Sequence, residues 1–118
     1  MDTHRLVVTE DLNQYGYLYG GRLLSWVDEA SFIAASLEYP QARFVTVAMD
    51  EVLFAHSIQN GTILTISCVK KAQGRTSVTY RVEVYRGRVR DGHTLFSTCV
   101  TFVNIDSSGK KSPLPVTQ

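Results

Sequence analysis

Two adjacent glycines followed by one aspartate are the residues of this sequence whose types and spacing could do chemistry. Gly20 and Gly21 open a segment with helical periodicity, and Asp28 lies about two turns inside it. The first amides of a helix have no intrahelical partner, so they can bind a carbonyl oxygen and stabilise an oxyanion. Asp28 could then act as a general base or a nucleophile. The glycines could equally serve only a tight entry into the helix.

Asp28 is unusual for its position because Leu24, Phe32 and Ala35 surround it on the projected helix. A carboxylate among apolar side chains costs free energy unless it is paired or used in a reaction. The alternative to catalysis is a structural hydrogen bond to a neighbouring strand or subunit. Glu29 lies on the polar side of the same helix and is expected to be solvated.

Composition and charge argue against several classes of function. A net charge of +1 over 118 residues argues against a nucleic-acid binder, which needs a clustered basic surface. No apolar run reaches the roughly 20 residues of a membrane span, and no signal peptide is recognisable, so we expect a cytoplasmic protein without membrane insertion. No metal-ligand spacing, Gly-x-Ser-x-Gly motif or phosphate loop occurs, so we expect no metal. Cys68 and Cys99 are expected to be buried reduced thiols.

One long helix and several strands must position the candidate residues. The helix is predicted from about Gly20 to Glu38, with Pro40 ending it, and its broad apolar stripe predicts extensive burial. After the helix, apolar residues alternate with period two in four long strands joined by short turns, which favours an antiparallel meander. With a short strand before the helix, we expect a sheet of five to six strands in all. We predict a single α+β domain over residues 1–118, a curled antiparallel sheet around one central helix, with a flexible tail at 107–118.

Several strand residues are apolar on the face that one helix cannot cover. A single helix covers only one face of a sheet, so these side chains predict burial against another subunit. We therefore expect at least a homodimer. The residues concerned are Val52, Phe54, Val69 and Val103.

The glycine pair and the acid belong to a longer ordered pattern. It reads Asn13-x-x-Gly16-x-x-Tyr19-Gly20-Gly21, followed by Asp28, then Val45-Thr46-Val47-Ala48-Met49-Asp50, Phe54, Gly74-Arg75-Thr76-Ser77 and Val82-Glu83-Val84. In order and approximate spacing this pattern resembles the hotdog-fold acyl-CoA thioesterases, most closely the cytosolic acyl-CoA hydrolase branch that also contains the YciA-like enzymes. The sequence departs from the family at Gly61-Thr62, at Tyr17, and at His56-Ser57, where many members have a proline.

The resemblance implies a hotdog fold, hydrolysis of an acyl-CoA to a free acid and CoA, and a dimer, tetramer or hexamer with sites at subunit interfaces. It implies Asp28 as base or nucleophile, Gly21 as the main oxyanion donor beside Gly20, and Asn13 as the group that orients water or the carbonyl. In this family the asparagine and the acid of one site come from different subunits. Asn13 could alternatively be only a turn former. A thiol is a good leaving group, so one base and an oxyanion site suffice, without any cofactor beyond the CoA of the substrate.

The resemblance also implies contacts with the rest of the substrate. Arg75, Thr76 and Ser77 match the CoA contact region of the family, and Arg75 could pair with a phosphate, although a hairpin with an exposed arginine is an equal alternative. Thr46 and Val47 fall in the matching strand and are expected to contact substrate. Three arginines of a later loop could also bind phosphates, but a solvated loop is favoured: Arg86, Arg88 and Arg90.

Two rival functions stay open beside thioester hydrolysis. A non-catalytic acyl-CoA-binding module on the same fold would usually carry a fused partner segment. A dehydratase of the same fold would need a histidine paired with the acid, and the three histidines of the sequence, His4, His56 and His93, all lie outside 13–28. They receive no role. The sequence therefore predicts an acyl-CoA thioester hydrolase.

Overall fold

The computed structural model describes residues 1–88 and 93–116. Within them lie one long helix, α1 (Gly20–Glu38), and five strands: β1 (Asp2–Leu6), β2 (Phe44–Phe54), β3 (Ile63–Gln73), β4 (Ser77–Arg86) and β5 (Phe96–Asn104). A single turn of 3-10 helix, Thr9–Asp11, lies between β1 and α1. The helix has the predicted bounds, and the predicted short strand precedes it. Arg90 lies outside the described residues.

The five strands form one antiparallel sheet in the order β1-β3-β4-β5-β2. The predicted meander is correct for β3, β4 and β5 but wrong for β2, which lies beside β5 at the far edge. The reason is that the β2–β3 connection pairs with the segment before the helix, Leu18 N donating to Ile58 O at 2.7 Å and Gly61 N to Val7 O at 2.8 Å. Gly61 makes the predicted turn, with φ of 84°, but a local turn does not decide which strands become neighbours.

The helix packs on one face of the sheet and forms the core with it. Period-two alternation points every second residue of β4 and β5 at the helix, and each such side chain, when fully buried, stabilises the fold by about 1.5–3 kcal/mol. The predicted apolar stripe is buried only in part, because Ile33 and Leu37 are 40% and 65% exposed. The buried helix residues are Leu23, Trp26, Val27, Ala30, Ser31, Ala34 and Ala35.

The segment that follows β5 is anchored to the sheet. Asn104 Oδ1 accepts a hydrogen bond from Arg43 N at 2.7 Å, and Asn104 Nδ2 donates one to Pro113 O at 2.9 Å. Leu114 N donates to Arg75 O at 2.9 Å. These partners tie the segment, as far as Leu114, to distant parts of the chain that local composition does not reveal. The flexibility of residues 107–118 stays a prediction.

Strand β2 is an irregular edge with an exposed apolar surface. Its pairing with β5 is interrupted by one bulge at Val47 and another between Asp50 and Leu53, where Glu51 has a φ of 56°. An exposed edge strand offers unpaired backbone groups to another chain. Among the residues predicted to need a second subunit, three are 41–56% exposed, namely Val52, Phe54 and Val69, whereas Val103 is buried within the protomer.

Candidate active site

The start of α1 presents two helix amides beside a tight turn. Tyr19 precedes the helix in an extended conformation, and its carbonyl accepts hydrogen bonds from Arg22 N and Leu23 N at 3.0 and 3.1 Å. Among the residues that the structure describes, no carbonyl accepts from the amides of Gly20 and Gly21. These two N–H groups therefore keep the anion-binding capacity of a helix N-terminus.

Asn13 forms the turn that leads into the helix. Its Oδ1 accepts hydrogen bonds from Tyr15 N at 2.9 Å and Tyr17 N at 3.2 Å. This is the arrangement of the turn-forming alternative, and it occupies only the oxygen of the side chain. Within the described part of the chain, Nδ2 makes no hydrogen bond and can still donate to a ligand.

Asp28 is half-buried in the protomer and is held by β2. Thr46 Oγ1 donates a hydrogen bond to Asp28 Oδ1 at 2.7 Å, so the residue expected to contact substrate contacts the acid. The structural alternative for Asp28, a hydrogen bond to a neighbouring strand, therefore holds for Oδ1. The second oxygen, Oδ2, accepts none from the residues described here. Val47 follows as the extra residue of the bulge and is 54% exposed.

Two clefts flank the start of α1, and each is lined by one of the two adjacent glycines. A cavity of about 310 Å³ is lined by Asn13, Gly20 and Phe54 among others. A second, of about 380 Å³, is lined by Gly21 and by the ion pair of Asp11 and Arg22, whose Oδ1 and Nε are 3.5 Å apart. Asp28 lines neither of these clefts.

The first cleft also contains two residues to which sequence reasoning gave no role, His56 and Ser57. Both directly follow the Phe54 strand, at the point where the sequence departs from the family pattern. That departure from the family pattern could have drawn attention to these two residues, since it places a polar pair where the chain leaves β2.

The predicted site residues lie in two groups at opposite ends of the sheet. Phe54, in the first cleft, pairs with Phe96, which pairs in turn with Val84 of β4. At the other end of β2, Thr46 pairs with Phe102, which pairs with Val78, the residue after Ser77. The six-residue step from Val78 to Val84 corresponds to about 20 Å. Along the helix, Gly20 and Asp28 are about 12 Å apart. One protomer therefore does not bring the acid to the helix N-terminus.

The Arg75–Ser77 turn joins β3 to β4 at the same end as Asp28. Its backbone carbonyls are engaged: Ser77 O accepts from Gly74 N at 2.8 Å, and Thr76 O from Asn104 N at 2.8 Å. The Arg75 side chain is exposed. The turn has the geometry of the hairpin alternative and leaves the guanidinium accessible to an anion.

Metal and thiol chemistry have little support in the described residues. No three His, Cys, Asp or Glu side chains in residues 1–88 and 93–116 come together as metal ligands would. Both cysteines are buried and unbridged, as predicted, and burial raises the pKa of the Cys68 thiol to about 11. A thiol with a raised pKa is a poor nucleophile at neutral pH.

No helix in the described ranges is long and apolar enough to cross a membrane.

Comparison with known proteins identifies the family. Residues 15–93 match the thioesterase superfamily model, which is more than half of the chain. The chain is 29% identical over 107 residues to the uncharacterized acyl-CoA thioester hydrolase YkhA of Bacillus subtilis, covering 89% of this chain and 62% of that protein. It is 32% identical over 118 residues to the acyl-CoA thioester hydrolase YciA of Salmonella typhimurium, covering 94% of this chain and 86% of the relative.

A solved structure supports the same assignment. The hexameric hotdog-fold thioesterase of Campylobacter jejuni aligns over 96% of this chain and 88% of its own, with 32% identity and a TM-score of 0.83. Its fold agrees with one helix packed against a five-stranded antiparallel sheet. The family match, the identity to YciA and the shared fold agree, and the chain belongs to the thioesterase superfamily, among the hotdog-fold acyl-CoA thioester hydrolases.

Proposed function

We propose that this chain hydrolyses acyl-CoA thioesters to a free acid and CoA, in sites that two copies of the chain build together. The observation that carries the proposal is the separation of Asp28 from Asn13 and Gly20 within one protomer. A carbonyl bound at the helix N-terminus of one copy lies about 12 Å or more from the acid of that copy, too far for direct attack. A second copy must supply the missing group.

The exposed β2 edge offers a way to bring the two groups together. If two copies pair antiparallel along this edge, the Phe44 end of one strand lies opposite the Phe54 end of the other. Asp28 is attached to the first end through Thr46, and the cleft with Asn13 and Gly20 adjoins the second. A two-fold dimer of this kind contains two equivalent sites. The hexameric assembly of the Campylobacter jejuni relative makes a trimer of such dimers the favoured larger state.

The chemistry follows from the donors and acceptors in each half-site. The amide of Gly21, with Gly20 beside it, holds the thioester oxygen, and Asn13 Nδ2 orients the carbonyl or the water. Asp28 Oδ2 takes a proton from water as the hydroxide attacks the carbonyl carbon. The carbon–sulfur bond then breaks, and the proton passes to the departing CoA thiolate. Direct attack by Asp28, through an anhydride that water cleaves, uses the same groups.

The same proposal covers the contacts with CoA, the need for a cofactor and the place of action. Val47, Arg75, Thr76 and Ser77 contact the CoA portion, with Arg75 facing a phosphate. The reaction needs no metal or redox cofactor. The protein acts in the cytoplasm, on a substrate that is itself soluble.

The proposal is tested by release of free CoA from a panel of short-, medium- and long-chain acyl-CoAs. Asp28→Asn keeps the hydrogen bond to Thr46 but removes the base, so kcat should fall by at least 10²-fold with the fold retained. Glu29→Gln is the matched control, since it neutralises the exposed neighbouring carboxylate, and it should keep wild-type turnover. Near-normal kcat in Asp28→Asn would refute the assignment of the base. Acyl-CoA binding without any turnover by wild type would favour a binding module instead.

A further inference from the structure

A second cavity adjoins the cleft at the helix N-terminus. It has a volume of about 290 Å³ and is lined by His56, Ser57, Arg86, His93 and Leu95. The first cleft shares two of these residues, His56 and Ser57, so both cavities border this short segment. A ligand whose reacting carbonyl lies beside Gly20 would reach the second cavity by passing His56 and Ser57.

Backbone hydrogen bonds at Leu95 hold the walls of this cavity together. Leu95 O accepts from Ala55 N at 3.0 Å and from His56 N at 3.4 Å, and Leu95 N donates to Val84 O at 2.8 Å. These bonds join the segment after β2, the end of β4 and the start of β5. His56, Arg86 and His93 lie within two residues of the bonded positions, so a preformed framework carries them.

The lining has the chemistry of an anion site. Arg86 carries a permanent positive charge and five N–H donors, the imidazoles can donate N–H, and Ser57 can donate its hydroxyl. None of the described residues that line the cavity is an aspartate or glutamate. An oxyanion would accept charge-assisted hydrogen bonds there, while an apolar acyl chain would offer no acceptor to Arg86 and Ser57.

We propose that this cavity is an anion subsite of the thioester site and holds an oxyanion group that the substrate carries at a distance from its carbonyl. The inference rests on the proposed function for the placement of the carbonyl. Two parts of the substrate can supply the anion: a phosphate of the CoA arm, or a carboxylate at the far end of the acyl arm. Their shared chemistry is an oxyanion that Arg86 recognises.

The test compares Arg86→Gln with Arg88→Gln. Both remove one exposed arginine, Arg86 at the end of β4 and Arg88 two residues beyond it, but Arg88 does not line the cavity in the described part of the chain, so it is the matched control. Each is combined with Asp28→Asn to keep thioesters intact, and calorimetry then measures binding of butyryl-CoA and glutaryl-CoA. Circular dichroism and oligomer mass establish that every variant is folded, as expected for an exposed position.

Arg86→Gln should weaken binding about ten-fold, and Arg86→Lys should restore most of it because the charge remains. Equal weakening for both thioesters assigns the subsite to a CoA phosphate, whereas weakening confined to glutaryl-CoA assigns it to the acyl carboxylate. Unchanged binding of both, or the same change in Arg88→Gln, would overturn the proposal. Because binding is read without turnover, this result stands apart from the CoA-release test of hydrolysis.

Discussion

Glycine at positions 20 and 21 is not required by the backbone conformation, since neither residue has a positive φ. A β-carbon on Gly20 would lie 3.5 Å from the Phe54 ring, which is ordinary contact. One on Gly21 would lie 3.3 Å from the Tyr19 ring, and Tyr19 is exposed enough to move. A tight entry into the helix therefore explains the pair poorly. Close approach of a ligand to the amides explains it better.

The two explanations, tight helix entry and close approach of a ligand, predict different results for Gly21→Ala. Alanine is the better helix former, so stability should stay the same or rise by about 0.5–1 kcal/mol. The added methyl group crowds the amide, so kcat/KM for CoA release should fall. Thermal denaturation and CoA release measured on the same preparation separate the two effects. A destabilised variant with full turnover per folded molecule would instead support the tight-entry interpretation.

Single residues were only partly predictable from sequence. Asp28 stands out as a charge in an apolar helix, but nothing local indicates that Thr46, eighteen positions later, donates to it. The sequence does not decide between a turn and a ligand contact for Asn13; in the structure Oδ1 accepts the hydrogen bonds of the turn, while Nδ2 stays available to donate. The sequence allows Arg86 to bind a phosphate but does not predict the cavity around it, because backbone pairing at Leu95 assembles that cavity from distant segments.

At the scale of elements, the last turn of α1 is tied to the sheet by a polar cluster. Glu38 accepts hydrogen bonds from Lys70 Nζ at 2.7 Å and from Tyr80 Oη at 2.5 Å. Burial by itself raises the pKa of Glu38, but the bonds from Lys70 and Tyr80 outweigh it, so the pKa lies below its ordinary value of 4.5. Burial and the same carboxylate raise the pKa of Tyr80. The helix whose N-terminus carries the proposed oxyanion site is thus fixed at its other end.

The cluster predicts a pH-dependent contribution to stability. Because the folded pKa of Glu38 is lowered, its contribution is present above pH 4.5 and is lost as the pH falls through the lowered pKa. Glu38→Gln should cost about 1–2 kcal/mol at pH 7, and its difference from wild type should shrink towards pH 3. Urea denaturation at both pH values measures this difference in the free energy of unfolding.

Glu29→Gln, which breaks only an exposed pair with Arg5, is the control and should cost about 0.5 kcal/mol or less. An equal cost for Glu38→Gln at both pH values would contradict the mechanism.

Elements were predictable where local pattern determines them. The bounds of α1 and the existence of each strand follow from periodicity and Pro40. The position of β2 beside β5, and the anchoring of the last segment by Asn104, depend on long-range pairing instead. A short connection such as residues 55–62 indicates a turn, but its own hydrogen bonds to Val7 and Leu18 decide where the next strand goes.

At the scale of the whole molecule, the sheet separates the two halves of the proposed site and leaves the β2 edge exposed. Apolar alternation indicates a second copy, and the β2 edge carries exposed apolar side chains, with Val45, Leu53 and Phe54 39–58% exposed. In the proposed dimer, the pairing that covers this surface also brings the acid of one copy to the helix N-terminus of the other. Assembly and catalysis should therefore be lost or gained together.

A mixing experiment tests this division directly, using Asn13→Asp and Asp28→Asn. The first variant keeps the Oδ1 acceptor that forms the turn but removes the Nδ2 donor, and the second removes the base, so each alone should be nearly inactive. In a two-fold dimer that contains one copy of each, one site carries both substitutions and the other carries neither. Unfolding and refolding an equimolar mixture should restore about a quarter of wild-type activity, because half of the dimers are mixed and each has one intact site. Each variant refolded by itself is the control. A mixture no more active than these controls, despite proven exchange of subunits, would place the acid and the asparagine in the same copy and remove the need for a shared site.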